Sequence, residues 1–186
     1  MTTAEDLRAA SLPLRRRELL REAIGRTLLD IDRWTATTPS DFVARGGLRS
    51  LHFSRCSGPT IMSFGDGLVH SWAGWPSQLS IIVDGNPVVD VAYSERYRLS
   101  DCADTAPAWL RACLGRSVRD VLVHVYRDDV PSDEARQAAV SYLLDSGVEL
   151  WYGTELHGRS TSDELLRGDE VPRDHVASTV SMADAG

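Results

Sequence analysis

The sequence predicts an α+β fold built on an antiparallel β-sheet of hairpins and meanders, with helices packed mainly on one face. Short β-branched and aromatic runs separated by turn residues fill a strand-rich centre, about residues 48–93. Helical patterns flank this centre at about residues 14–24 and 132–145. We therefore expect one domain over residues 1–158, followed by a polar, loosely attached C-terminal tail over residues 159–186.

The first predicted helix covers about residues 14–24. Pro13 stands just ahead of it, where helix starts tolerate proline, and Gly25 is the expected break. Apolar residues continue at helical spacing through this segment, namely Leu20, Ile24, Leu28 and Ile31. Residues 27–34 could instead form a strand, because periodicity alone does not separate the two structures.

The centre of the chain alternates between strand and turn signals. Residues 37–47 contain prolines and glycines typical of a loop or one helical turn. Strands are predicted at residues 48–53, 60–64, 68–72, 78–83, 87–93 and 118–126, with a short helix at 106–114. The clearest hairpin joins residues 78–83 to 87–93, because Asp84, Gly85 and Asn86 favour a turn with positive φ.

A second long helix is predicted over about residues 132–145. Ser132 can cap it, and Asp133 and Glu134 would lie in its first turn, where carboxylates are favoured. Its apolar stripe consists of Ala135, Ala138, Ala139, Tyr142 and Leu143. Gly147 suits the helix end, and residues 148–152 alternate as a strand.

One segment resembles another later in the chain. Residues 20–30 and 110–120 both read as a helix end, a Gly-Arg pair and the start of an apolar strand. Internal duplication would produce this similarity. Two independent helix ends that use the same residue types would produce it as well.

Composition excludes several classes of chemistry. All twenty basic residues are arginine, so a Schiff-base lysine, a phosphate-loop lysine and a serine–lysine pair are absent. The net charge of −7 disfavours general nucleic-acid binding and favours a basic partner. The odd set of cysteines, Cys56, Cys102 and Cys113, lacks metal-ligand spacing and fits a reducing compartment. With neither a membrane span nor a leader pattern in the sequence, we expect a cytoplasmic protein.

The sequence supports no particular reaction. The five histidines, at positions 52, 70, 124, 157 and 175, belong to no metal or catalytic motif. We therefore predict neither a catalytic residue, nor a metal site, nor a cofactor, and expect the protein not to be an enzyme.

The region that ends at Trp151 resembles a family of bacterial immunity proteins. The resemblance depends on the segment Val130–Arg136, the alanines and Tyr142-Leu143 pair after it, Gly147 and Trp151. An upstream hairpin, Leu79–Val83 with Val88–Tyr93, is similar to one in that family. The family usually places a proline between the glycine and the strand, whereas Gly147 here passes directly to Val148.

The resemblance implies a binding function. Proteins of that family protect a cell from polymorphic toxins, often nucleic-acid deaminases, and this chain would bind its toxin stoichiometrically. The −7 charge would attract a basic toxin. The candidate contact residues are the carboxylates Asp128, Asp129, Asp133 and Glu134, whose alternative role is to solvate and cap a loop. Neither nucleic acid nor a membrane is an expected partner.

A small-ligand module is the alternative. Trp72 and Trp75 lie close to Gly74 and Pro76 and could line a pocket, since exposed indoles stack well on rings and sugars.

Overall fold

Two five-stranded antiparallel sheets form the protein, which confirms the predicted antiparallel α+β fold class. The computed structural model describes residues 8, 10–75, 80–86, 93, 95–126, 136–154, 163–174 and 176–184. The first sheet belongs to the N-terminal half of the chain and the second to the C-terminal half.

The first sheet is a four-stranded meander with one added edge strand. Its strands are β1 (Leu28–Thr35), β2 (Thr60–Phe64), β3 (Val69–Trp75), β4 (Ser80–Asp84) and β5 (Glu95–Arg98). Their order across the sheet is β4-β3-β2-β1-β5. The last strand therefore returns to pair with the first.

The second sheet repeats this arrangement. Its strands are β6 (Val118–Tyr126), β7 (Gln137–Leu144), β8 (Glu149–Thr154), β9 (Asp163–Arg167) and β10 (Val176–Ser181). Their order is β10-β6-β7-β8-β9, which is the order of the first sheet read from the opposite edge. The last strand again pairs with the first strand of its half.

The helices whose bounds lie in the described residues are short and lie before or between strands. They are α1 (Arg17–Arg21), α2 (Pro39–Ala44), α3 (His52–Arg55) and α4 (Ala108–Arg111). Single 3-10 turns occur at Pro13–Arg15, Arg49–Leu51, Gly65–Gly67, Leu99–Asp101 and Gly168–Glu170. Within the described residues, no helix has the length and apolar character needed to cross a membrane.

The main hydrophobic core lies between the two sheets. Inward-facing residues from both halves belong to one buried cluster, including Ile31, Met62, Trp72, Ile81, Val121, Val140, Tyr142, Tyr152 and Leu165. Each sheet therefore covers the inner face of the other. A second, smaller cluster around Trp151 and Leu166 lies on the outer face of the second sheet, where Val171 covers it.

The two halves meet through reciprocal backbone hydrogen bonds. Gly25 N donates to Val118 O and Gly115 N donates to Leu28 O, each at 2.8 Å. Thr27 and Ser117 form an antiparallel bridge between these bonds. Each glycine has a positive φ, +83° and +77°, which lets the chain turn from a helical segment into β1 or β6.

The two halves are also equivalent at one side chain in the first strand of each sheet, β1 and β6. Both strands have a register shift at the same place, between Leu28 and Asp30 in β1 and between Val118 and Asp120 in β6. Asp30 accepts a hydrogen bond from Ser100 Oγ at 2.7 Å, and Asp120 accepts one from Ser181 Oγ at 2.6 Å. The shared strand order, bridge and aspartates favour internal duplication over two coincidental helix ends.

The predicted helix over residues 132–145 is wrong where the structure describes it. Residues 137–144 form β7, the central strand of the second sheet. Both faces of β7 are covered, so nearly all of its residues are buried. A strand buried on both faces is a continuous apolar run, in which helical spacing is also satisfied. The predicted cap at Ser132 lies outside the described residues.

Two further predictions near the N-terminus need correction. Residues 48–53, predicted as a strand, form the 3-10 turn Arg49–Leu51 and the start of α3. Their apparent alternation has no structural counterpart, since His52 and Phe53 are both buried. The helix predicted over residues 14–24 is reduced to a 3-10 turn and α1, while residues 28–35 form β1.

The C-terminal segment is not a loosely attached tail. Asp163–Arg167 and Val176–Ser181 form β9 and β10, the two edge strands of the second sheet. Leu165 and Leu166 are both buried, one in each hydrophobic cluster. Edge strands carry many polar residues, which is why the composition of this segment resembled a tail.

The other strand predictions agree with the structure. Residues 60–64 and 118–126 match β2 and β6, and residues 68–72 and 148–152 lie within or beside β3 and β8. The predicted hairpin is described only in part, because β4 covers its first arm and residues 87–92 lie outside the described residues. The short helix predicted at residues 106–114 is present as α4.

Candidate interaction surface

The four acidic residues predicted to contact a partner lie outside the described residues. Asp128, Asp129, Asp133 and Glu134 belong to residues 127–135, which connect β6 to β7. Their role stays a prediction. In the first half, the equivalent connection between β1 and β2 is fully described and spans residues 36–59.

The two tryptophans predicted to line a pocket are buried. Trp72 has no exposed surface, and Trp75 is 4% exposed. The Trp72 indole N–H donates to the Tyr142 hydroxyl at 3.0 Å, and its ring packs 5.8 Å from that of Tyr152. These positions contradict an exposed indole platform, because Trp72 joins the two sheets in the core.

His70 completes a buried hydrogen-bond chain with Trp72. Its Nδ1 lies 2.7 Å from the Tyr142 hydroxyl, and its Nε2 lies 3.0 Å from Leu19 O. A carbonyl accepts only, so Nε2 carries the proton and Nδ1 accepts from Tyr142. Burial lowers the pKa of His70 to about 4 despite the opposing hydrogen bond to Leu19. His70 is therefore neutral near pH 7, and both of its ring nitrogens are hydrogen-bonded.

His124, on the outer face of the second sheet, is also held by a ring contact and hydrogen bonds. It stacks on Trp151 with ring centroids 3.7 Å apart. Its Nε2 lies 2.9 Å from Ser141 Oγ, and Ser141 donates to Glu149 Oε1 at 2.7 Å. Since the hydroxyl proton goes to Glu149, His124 donates to Ser141 and is not its general base. Burial, with a smaller contribution from Arg173, lowers the pKa of His124 to about 3.

The cysteines and His52 are equally unsuited to catalysis. All three cysteines are buried as free thiols. Burial raises the pKa of Cys113 to about 12 and also raises that of Cys102, which disfavours the reactive thiolate. His52 is buried and its pKa is lowered mainly by burial. Among the described residues, no group of three or more potential ligands is placed to hold a metal ion.

The connection over residues 36–59 is the most distinctive surface feature. It contains α2 and α3, whereas the equivalent connection in the second half is much shorter. Thr38 caps α2 by accepting a hydrogen bond from Asp41 N, and Pro39 occupies the first turn. The pattern Thr38-Pro39-Ser40-Asp41 is a sequence signal from which this helix start could have been predicted. We call residues 36–59 the helical insertion.

The base of the helical insertion is anchored at several points. His52 Nε2 lies 2.8 Å from Thr37 O, which closes the insertion upon itself. The His52 ring packs edge-on against Phe42 and Tyr97, at 5.6 and 5.0 Å between centroids. Phe53 N donates to Thr105 O at 2.9 Å, which ties the insertion to the segment before α4.

Ion pairs hold both flanks of the insertion. Arg49 pairs with Asp104 at 2.9 Å, and Arg55 pairs with Glu164 of β9 at 3.3 Å. The latter pair links the insertion of the first half to the second sheet. The insertion is thus a fixed part of the fold rather than an independent loop.

The outer side of the insertion exposes apolar side chains. Val43 is 46% exposed and Leu48 is 67% exposed. Among the described residues, the only other large hydrophobic with comparable exposure is Leu29, at 55%. Contiguous exposed apolar surface is typical of protein-binding sites, and these two exposed side chains lie five positions apart on one anchored segment. We call Val43, Leu48 and the residues between them the apolar tip.

No protein family matches the chain, and comparison with curated proteins and solved structures gives no match.

Proposed function

We propose that the protein is a non-enzymatic binding module that neutralises a basic partner protein by stoichiometric contact. The apolar tip of the helical insertion is the observation that carries the proposal. It is exposed and anchored through its base, and it lies in a connection over residues 36–59 that is much longer than the β6–β7 connection over residues 127–136. The β6–β7 connection joins the equivalent strands with far fewer residues, so the length of the insertion is not required to join them and is available for a binding role.

The charge of the chain supports a basic partner. A net charge of −7 attracts a positively charged protein over long range and raises its association rate. Apolar contacts at the tip would then provide most of the affinity, as buried side chains do in other interfaces. The sequence resemblance suggests the class of that partner, a bacterial toxin that acts on nucleic acid.

The chemistry of the interior supports binding over catalysis. His70 and His124 are neutral at pH 7, and each ring nitrogen already has a partner. Ser141 donates to a carboxylate rather than to a base. A small-ligand function at Trp72 and Trp75 has less support, because neither indole is exposed.

The first test is co-expression with the protein encoded by the adjacent upstream reading frame. Growth is measured when that neighbour is induced alone and with this protein. We expect the neighbour to inhibit growth and this protein to relieve the inhibition through an isolable complex. A harmless neighbour, or toxicity that this protein does not relieve, would contradict toxin neutralisation.

The apolar tip is tested by a pair of variants. Val43→Asp with Leu48→Asp should weaken binding to the purified neighbour by about 30-fold or more, because a carboxylate would be desolvated at the contact. Leu29→Asp is the matched control, since Leu29 is also exposed but lies outside the insertion. Calorimetry measures both affinities. Equal affinities for the two variants would remove the tip from the interface.

The acidic residues of the β6–β7 connection need a separate test. Charge reversal through Asp128→Arg and Asp129→Arg should slow association with a basic partner more than it changes the dissociation rate. Stopped-flow mixing at two salt concentrations measures the effect. An unchanged association rate would exclude these two residues from the contact.

A further inference from the structure

The second sheet ends in an edge strand that carries no charged side chain. This strand is β10, with the sequence Val-Ala-Ser-Thr-Val-Ser. Within the described residues, its strand partner is β6 alone. Ala177, Ser178 and Thr179 are all exposed. Uncharged and β-branched residues on an exposed sheet edge favour pairing with a further strand.

The other three sheet edges are protected in ways that natural sheets commonly use. The equivalent strand of the first sheet, β5, has charged side chains at three of its four positions. The edge of β4 is covered by the N-terminal segment, where Val83 N donates to Ser11 O at 2.8 Å. The edge of β9 lies beside the helical insertion, where Arg55 pairs with Glu164 at 3.3 Å. Among the described residues, β10 is therefore the least protected edge.

Two residues of β10 direct their backbone groups away from the sheet. Met182 N, just after the strand, donates to Val121 O of β6 at 2.9 Å. Hydrogen-bonded and non-hydrogen-bonded pairs alternate along an antiparallel ladder. The register with β6 is uninterrupted from Ser178 to Ser181. Thr179 and Ser181 therefore direct their N–H and C=O groups outward, where a further strand could pair with them.

Contacts to β6 hold β10 in its extended form. Thr179 Oγ1 lies 3.0 Å from His124 Nδ1, and Ser181 Oγ donates to Asp120 at 2.6 Å. Val180 lies on the opposite face, where it packs against the main core. Because the strand is already ordered, it loses little conformational entropy when it pairs with another strand.

We propose that β10 pairs with β10 of a second copy of this chain, antiparallel and about a twofold axis at Val180. Thr179 of each copy then lies opposite Ser181 of the other, and the two pairs form four backbone hydrogen bonds. The two Val180 side chains meet across the axis and extend the apolar core. The second sheets of the two copies thus form one ten-stranded sheet.

Charge favours a second copy as the occupant of this edge. A twofold contact needs a self-complementary strand, and β10 places no like charges opposite each other. Every twofold register of β5, whose sequence is Glu-Arg-Tyr-Arg, would place like charges opposite each other. The helical insertion adjoins β9, at the other edge of the second sheet. The dimer is therefore separate from the apolar tip and goes beyond the proposed function.

Sedimentation equilibrium of the full chain tests the dimer. One strand pair is a small interface and each copy has a net charge of −7, so we expect a dissociation constant of about 10–300 µM. Raising the salt concentration from about 0.05 M to about 0.5 M should strengthen the dimer, because it screens the repulsion between the copies. Salt should have the opposite effect on binding to a basic partner.

Two variants at one position isolate the backbone contact. Thr179→Pro removes an outward N–H and leaves the bonds to β6 in place, so it should weaken the dimer by about tenfold or more through the loss of two hydrogen bonds. Thr179→Val is the matched control, since it keeps the N–H and removes only the hydroxyl beside His124. Its dimer should be as stable as that of the unchanged chain. Circular dichroism checks that both variants are folded.

Hydrogen exchange provides a second measurement on the unchanged chain. The amides of Thr179 and Ser181 should exchange more slowly as the protein concentration rises, because both donate across the contact. If Thr179→Pro does not fold, this measurement decides the question.

Three results would overturn the dimer. The first is a chain that stays monomeric up to about 1 mM. The second is a dimer that Thr179→Pro leaves unchanged, and the third is equal weakening by Thr179→Pro and Thr179→Val. Thr179→Pro should still relieve toxicity in the co-expression assay, so failure of the dimer is distinguishable from failure of the proposed function.

Discussion

Arg33 and Val123 hold equivalent positions in the two halves of the molecule, yet their chemistry is opposite. Arg33 of β1 pairs in register with Thr60, and Val123 of β6 pairs with Val140. Both side chains are fully buried between the sheets. Arg33 donates to Thr60 Oγ1 at 3.0 Å and to Asp163 O at 2.8 Å, whereas Val123 packs in the hydrophobic core.

The residue beside Arg33 in the other sheet, Asp163, also differs in chemistry from its counterpart. Asp163 of β9 corresponds to Ile81 of β4. Asp163 pairs with Thr154, Ile81 pairs with Gly74, and Thr154 and Gly74 hold the same position in their strands. Burial raises the pKa of Asp163, and the Arg33 charge opposes that rise. One end of the interface therefore contains a buried arginine beside a partly buried aspartate, where the other contains apolar residues. Backbone pairing thus defines the fold, while either polar or apolar side chains can fill the interior.

The largest expected effect comes from removing the Arg33 guanidinium. Arg33→Met should lower the free energy of unfolding by about 3–5 kcal/mol, because Thr60 Oγ1 and Asp163 O lose buried donors and the Asp163 carboxylate loses a neighbouring positive charge. Arg33→Val with Asp163→Ile, which copies the other half, should recover most of that loss. Urea denaturation measures both variants. A double variant as unstable as the single one would show that the two sites are not interchangeable.

The next largest expected effect is on the pH dependence of stability, because one half has a histidine where the other has a leucine. In the first half, His70 pairs with the β2 residue that pairs with Ile31. In the second half, Leu150 pairs with the β7 residue that pairs with Val121, so His70 and Leu150 hold corresponding positions. The pKa of His70 is about 4 in the folded protein, against an ordinary value of 6.5. The unfolded chain therefore binds more protons between these values, and stability is complete above pH 6.5 and falls as the pH decreases.

The expected loss of stability follows from the two pKa values, and a variant that does not titrate provides the control. Between pH 7.5 and pH 5, His70 should account for a loss of about 2 kcal/mol in the free energy of unfolding. His70→Gln keeps hydrogen-bonding groups but does not titrate, so its stability should change less over that range. Urea midpoints at the two pH values provide the measurement. The same slope in both proteins would mean that His70 does not control the acid response.

A smaller pair of effects tests whether the halves are equivalent. Asp30 accepts hydrogen bonds from Ile31 N and from Ser100, and Asp120 accepts them from Val121 N and from Ser181. Asp30→Ala and Asp120→Ala should each cost about 1–2 kcal/mol, because these donors lose a carboxylate partner. Thermal unfolding compares them. A cost confined to one half would show that only one aspartate has kept its structural role.

The smallest expected effect concerns the two glycines at the junction. Gly25→Ala and Gly115→Ala place a side chain at a positive φ, although nothing lies within 4 Å of the added Cβ. Each should cost about 1 kcal/mol through backbone strain alone. Differential scanning calorimetry resolves such changes. Losses several times larger would indicate that the backbone bonds between the halves, from Gly25 N and Gly115 N, also break.

The strands β6 and β7 show where the sequence predicted a strand and where it predicted a helix instead. Residues 118–126 alternate in chemistry and match β6 in both bounds. Residues 137–144 contain an apolar stripe that fits a helix, yet they form the central strand β7. Spacing distinguishes helix from strand only when one face is polar, and β7 is covered on both sides.

The candidate site was only partly accessible from the sequence. Residues 37–47 were predicted as a loop or one helical turn, which includes α2. The exposure of Val43 and Leu48 was not predicted, because an apolar residue in a sequence is ordinarily assigned to the core. The burial of Trp72 and Trp75 was missed because two indoles close to Gly74 and Pro76 were interpreted as an exposed pocket lining.

The sequence alone determined the fold class, the strand positions with one polar face and the repeated Gly-Arg junction. These depend on contacts between near neighbours along the chain, which local patterns record. The structure was needed to show that the two halves pack face to face, that β9 and β10 complete the second sheet and that the insertion exposes Val43 and Leu48. Those outcomes depend on partners distant in sequence, because burial is a property of the assembled sheets and not of any single segment.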